Sequence, residues 1–236
     1  MIKEKIKFID YWAKQLVLQE QIEEIKSSTF TKIIFSIDGL LFILHILIIT
    51  PLLSDPIYDV RSENGYPEMY QYFKEFIIVV LLLRIVLKTK IITFLIWVFL
   101  FAYLLFDDSF QIHENVGYYL ANTLSLPPLL GLRIQDFGEL LVSFTVFSVL
   151  CLFLLLFYRT APVLFQRATI VFFILLCMLA FFGIVVDMLH VVVASKRITN
   201  YVLGSIEDGG EMLVVSLMTV YAYYLNFCYS SQLLRS

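Results

Sequence analysis

The chain has 236 residues, of which 60% are hydrophobic and 16% charged, and its formal net charge is −3. Soluble domains carry roughly 25% charged residues, so this composition argues against a water-soluble fold. The slight acidity, with no basic arm, zinc-finger spacing or phosphate-cradling glycine loop, argues against nucleic acid as a partner.

Residues 1–30 place Ile2, Ile6, Ile9, Trp12, Leu16 and Ile22 at helical spacing, with lysines and glutamates between them. This predicts an N-terminal amphipathic helix that lies in the headgroup layer or packs on a partner subunit or a second copy. It has no continuous apolar core of the kind a cleavable signal peptide needs.

Residues 31–236 are expected to form one six-span transmembrane domain, because several apolar runs reach bilayer length. The expected spans are 31–53, which stops at Pro51 and Pro56; 72–87, which is short; 91–106, continuing as a helix past the membrane; 137–158; 168–193; and 207–229. Between the first two, residues 54–71 read as a loop that turns at Asn64-Gly65. The fold class is therefore all-α, a polytopic helix bundle. Cys151, Cys177 and Cys228 lie in apolar runs without a CxxC partner and read as packing residues.

Positive charge orients such a bundle. With the N-terminus cytoplasmic, the outer side holds five of the 17 basic residues, Arg61, Lys74, Arg133, Lys196 and Arg197, leaving 12 inside. Both termini are thus expected to be cytoplasmic, in a bacterial cytoplasmic (inner) membrane.

Acids and histidines gather at the outer ends of four spans: Asp107-Asp108 through His113-Glu114, Asp136 and Glu139, Asp187 and His190, and Glu207-Asp208 with Glu211. On one unbroken helix Asp107, Gln111 and Glu114 would share a face, as would Asp187 with His190 and Glu207 with Glu211. So many carboxylates near hydrocarbon repel one another, and a bound divalent cation is the economical answer. The expected ligands are Asp107, Glu114, Glu139, Asp187, His190, Glu207 and Glu211, with Asp108 and His113 behind them. Iron, manganese, zinc and calcium stay open as the metal. The competing reading is helix capping, by Asp136 on the fourth span and by Glu207 and Asp208 on the sixth. Asp38 and His45, seven residues apart on one face of the first span, read as partners of another helix or as part of a proton or ion path. Gly209-Gly210 is expected to allow close helix approach or a kink.

The pair Asp107-Asp108-x4-His113-Glu114 and Glu207-Asp208-x2-Glu211-Met212 resembles a recurrent motif pair of uncharacterised bacterial multi-pass membrane proteins. In span number and site placement the chain also resembles intramembrane metal hydrolases of the alkaline ceramidase type, although it lacks their histidine-rich pattern.

The expected function is a metal-dependent membrane protein, an enzyme acting on a lipid-like substrate, in which Glu114 moves the proton. The alternatives are an ion- or proton-coupled transporter or channel, and an assembly or sensor subunit that uses its N-terminal helix.

Overall fold

The computed structural model describes residues 28–124, 132–193 and 197–233. The N-terminal amphipathic helix expected over residues 1–30 lies almost wholly outside them. The described residues are helical, with no strand among them. In chain order the helices are α1 (Thr29–Ile49), α2 (Tyr66–Thr89), α3 (Leu95–Phe110), α4 (Ile112–Thr123), α5 (Ile134–Phe157), α6 (Val163–Ala180), α7 (Asp187–Val193) and α8 (Arg197–Leu233). A π-helical segment, Phe181–Val186, joins α6 to α7 without a break in the rod.

Four helical stretches are long and apolar enough to cross a membrane: Thr29–Ile49, Ile92–Phe110, Ile134–Phe157 and Val163–Val193. They correspond to the first, third, fourth and fifth expected spans. The second and sixth correspond to α2 and α8, which form the centre of the bundle. Ile78, Leu82 and Ile85 of α2 join Val214, Val215, Met218 and Ala222 of α8 in one core, together with Trp97 and Phe101 of α3 and Phe165 and Phe172 of α6. The central helices can therefore carry buried polar groups, here Lys74, Glu75, Ser216 and Thr219, that a lipid-facing helix could not.

Local chemistry sets the helix ends. Gly65 precedes α2, Pro67 occupies its first turn and Glu68 complements the positive end of the helix dipole. Asn64, at φ 57, makes the expected turn. Asp136 accepts from the Arg133 backbone N–H at 2.7 Å and so caps α5, as the capping reading expects.

Three expectations are corrected. First, the third span does not continue as a straight helix. Gln111 is left-handed at φ 51 and splits α3 from α4, so Asp107, Gln111 and Glu114 do not share a helical face. Second, α8 starts at Arg197, which puts Glu207 and Asp208 well inside the helix, where they cannot cap it. Third, Lys74, counted with the outer side, is fully buried in α2 and paired with Asp38, so it is not a free charge that could help set the orientation.

Glycines allow the closest crossings. A methyl group at Gly117 of α4 would stand 2.6 Å from the Glu139 backbone nitrogen of α5, and one at Gly138 would overlap the Gly117 carbonyl. On α8, a methyl group at Gly209 would stand 2.5 Å from the Phe42 ring of α1, and one at Gly210 would overlap the Phe182 ring. Gly209-Gly210 thus provides close approach, as expected. Helix α5 packs mainly on α4. Its Phe144, Phe147 and Leu150 face a gap whose opposite wall includes Leu176, Ala180 and Ile184.

Candidate functional site

A cavity of about 1400 Å³ opens between α3, α5, the α6–α7 rod and α8. It exceeds the roughly 300–1,000 Å³ usual for small-molecule sites. One end is lined by Asp107, Asp108, His113, Glu114, Asp136, Glu139, Asp187, His190, Glu207, Asp208 and Glu211. Away from it the lining becomes apolar, through Leu140, Phe144, Phe147, Leu150, Leu176 and Ile184. All seven residues expected as metal ligands therefore line one space, although they do not form one tight cluster.

The tightest group lies where α3 meets α4. The left-handed Gln111 turns the chain so that α4 begins beside the last turn of α3. The His113 backbone N–H then donates to Asp107 Oδ1 at 2.8 Å, and its ring Nδ1 lies 2.9 Å from Asp107 Oδ2. The Tyr103 hydroxyl donates to Asp107 Oδ1 at 3.2 Å, and the Tyr72 hydroxyl to the Asp108 carbonyl at 3.0 Å. Burial pulls the His113 imidazole down, but its bond to Asp107 and the charges of Asp107, Asp108 and Glu114 outweigh this and lift its pKa to about 9. Among the described residues, Asp107, Asp108 and His113 are the group whose ligand atoms all lie within 4.8 Å of one another.

The remaining expected ligands stand around this group. His190 Nδ1 is 2.7 Å from Glu207 Oε2, its Nε2 is 2.7 Å from Asn200 Oδ1, and Glu207 also bonds to Asp187. Glu139 accepts from Gln135 Nε2 at 2.6 Å. Glu211 is bonded to Gln71 and its carboxylate lies against Gly183 in the π-helical segment. A side chain at position 183 would collide with it, and π-helical turns recur where helices shape functional sites.

One residue of this neighbourhood escaped the sequence reading. Glu75 of α2 is 1% exposed and hydrogen-bonds Asp108. Its signal was the adjacent pair Lys74-Glu75 near the start of the expected second span. Asp38 and His45 each have the interhelical partners that the simpler reading expects. Lys74 Nζ donates to Asp38 Oδ1 at 3.2 Å, while His45 bonds Ser205 Oγ at 2.7 Å and lies 3.1 Å from Asp59.

Two carboxylates and an imidazole, without thiols, are a donor set suited to iron, manganese or zinc. His113 would need to release Asp107 or use its other ring nitrogen to ligate.

A family described as a domain of unknown function, DUF8692, matches residues 76–225. The chain belongs to it. The DUF8692 match takes in all seven expected ligands, together with Asp108 and His113, so the cavity's acidic end lies largely within the family's own extent. Comparison with curated proteins and with solved structures finds no match.

Proposed function

We propose that this DUF8692 protein is a six-span membrane protein in which α2 and α8 cross as the two central spans and both termini are cytoplasmic. It binds a divalent metal at Asp107, Asp108 and His113 and acts as a hydrolase on a lipid-like substrate. The observation that carries this reading is the two-ended cavity, with carboxylates and histidines at one end and hydrocarbon side chains at the other. An amphiphile fits it head to the acids, with its chain in the gap between α5 and α6. Two walls of that gap belong to helices of bilayer length, so in a membrane it would face lipid.

When bound, the metal supplies Lewis-acid chemistry. Glu114, at the start of α4 on the cavity wall, is the proposed proton acceptor and donor. Glu139, Asp187, His190, Glu207 and Glu211 would orient the head or hold a further ion.

A second reading, a cation- or proton-coupled transporter, draws on the buried polar groups that run from Asp108 through Glu75 and Lys74 to Asp38. The test is metal and lipid analysis of one sample purified in mild detergent without chelator. Near one equivalent of metal with a co-purified amphiphile is expected, and Ala180→Phe should lower the lipid but not the metal. A metal-free, lipid-free protein that moves cations in vesicles would favour the transporter.

A further inference from the structure

We infer that Glu75 is a ligand of the same cation, reaching the Asp107–Asp108–His113 group from α2. The inference rests on the reading of that group as a cation site. It goes beyond it by making the site span three helices and by adding a residue outside both sequence motifs.

Glu75 is 1% exposed and packed in the central helix pair. Its carboxyl group bonds Asp108, and its Oε2 has no hydrogen-bond partner. A buried carboxylate oxygen without a partner is unfavourable, because it has left water and gained nothing in return. Such atoms call for a missing partner. The surroundings define what that partner must be. Asp108 is bonded to Glu75, and Asp108 and Glu211 line one small cavity. Asp107 is already paired with His113, but among the described residues no ion pair reaches Asp108, Glu75 or Glu211. The adjacent Lys74 does not serve them directly, since its Nζ is bonded to Asp38, Ser216 Oγ and the Met212 carbonyl. Glu75 and Asp108 are thus bonded to each other without a bonded cationic side chain, and Glu75 presents an unpartnered oxygen beside a residue of the Asp107–Asp108–His113 group. A small divalent cation fits both facts; a neutral donor such as water would satisfy the oxygen but leave the adjoining carboxylates without a counter-charge, and an anion would do neither.

The competing role for Glu75 is a protonated carboxyl group that only donates a hydrogen bond to Asp108. Gln in its place would keep that donor and remove a ligand oxygen's charge. The experiment is titration of the chelator-treated full chain in detergent with Mn²⁺, read by electron paramagnetic resonance. The parent is expected to bind near one equivalent. Glu75→Gln should weaken binding tenfold or more, while its melting temperature in chelator stays at or above that of the parent. Glu75→Asp keeps the charge but draws the oxygens back, and should bind more weakly with an altered Mn²⁺ spectrum; it also serves if the Gln variant does not fold. If Asp108→Asn loses Mn²⁺ while Glu75→Gln or Glu75→Asp binds as the parent does, with the parent's spectrum, the site stands and the role of Glu75 as ligand is overturned. A parent that binds no Mn²⁺ overturns the site itself, and this inference with it.

Discussion

Lys74 Nζ lies 3.2 Å from Asp38 Oδ1, and both side chains are buried, at 0% and 2% exposure. The ammonium also donates to Ser216 Oγ and the Met212 carbonyl at 2.8 Å each, and stands 4.6 Å from the Tyr70 ring centre. This one side chain ties α1, α2 and α8 together. Removing one partner leaves a buried, uncompensated charge, which costs about 3–5 kcal/mol. Lys74→Met and Asp38→Leu should each lower the unfolding midpoint in detergent sharply. The double variant should recover most of the loss, because neither charge then remains. Equal losses that simply add would show that the two groups do not act as a pair.

Gly183 and Gly39 make a matched pair for the π-helical segment. A methyl group at 183 would collide with the Glu211 carboxylate, whereas one at 39 meets nothing within 4 Å. Gly39→Ala lies inside α1 and should stabilise by about 0.5–1 kcal/mol through helix propensity. Gly183→Ala should destabilise, or push Glu211 out of the cavity and weaken divalent binding. Unfolding midpoints with and without added Mn²⁺ check both variants. A Gly183→Ala protein as stable as Gly39→Ala, with unchanged binding, would show that Glu211 does not need the space.

Asp59, which with Arg61 lines the same cavity, provides a pH test at a residue not proposed as a metal ligand. Burial raises its carboxyl pKa, but the hydrogen bonds and charge of Arg61, with His45 beside it, outweigh this and hold it below the usual carboxylate value. Arg61 Nε lies 3.0 Å from Oδ1 and Nη2 lies 2.5 Å from Oδ2. A folded-state pKa below the unfolded one stabilises above the unfolded pKa, near about 4, and that stability disappears as pH falls through the folded value. Asp59→Asn should therefore cost about 1–3 kcal/mol at pH 7. The gap to the parent should narrow below about pH 4. A pH-independent gap would assign the loss to packing rather than to charge.

Much of this arrangement is legible in the residues. The bilayer-length runs, the Asp136 cap and the close approach at Gly209-Gly210 all follow from composition and local chemistry. So does the gathering of Asp107, Glu139, Asp187 and Glu211 around one cavity, because counting spans brings those helix ends to one face. What stays hidden depends on tertiary context. A left-handed Gln111 has no glycine to announce it, so α3 reads as continuing straight, and the fold-back that joins His113 to Asp107 is lost. The sixth span is expected to begin at Glu207, where the apolar run starts, yet α8 already begins at Arg197. Lys74 reads as a residue of the outer side, since only the folded bundle supplies Asp38, Ser216 and a carbonyl to receive it.

The most direct test of the cation site at Asp107, Asp108 and His113 is thermal unfolding in detergent, with and without chelator, for the parent and for Asp108→Asn. A ligand at a hundred times its Kd stabilises by about 2.7 kcal/mol, since it binds the folded state alone. For a chain of this size each kcal/mol moves Tm by roughly 2–4 °C. The parent should thus melt about 5–10 °C lower in chelator, recover when a divalent metal is restored, and leave Asp108→Asn unresponsive to either treatment. A melting temperature for the parent that does not change with chelator or added metal would contradict the account.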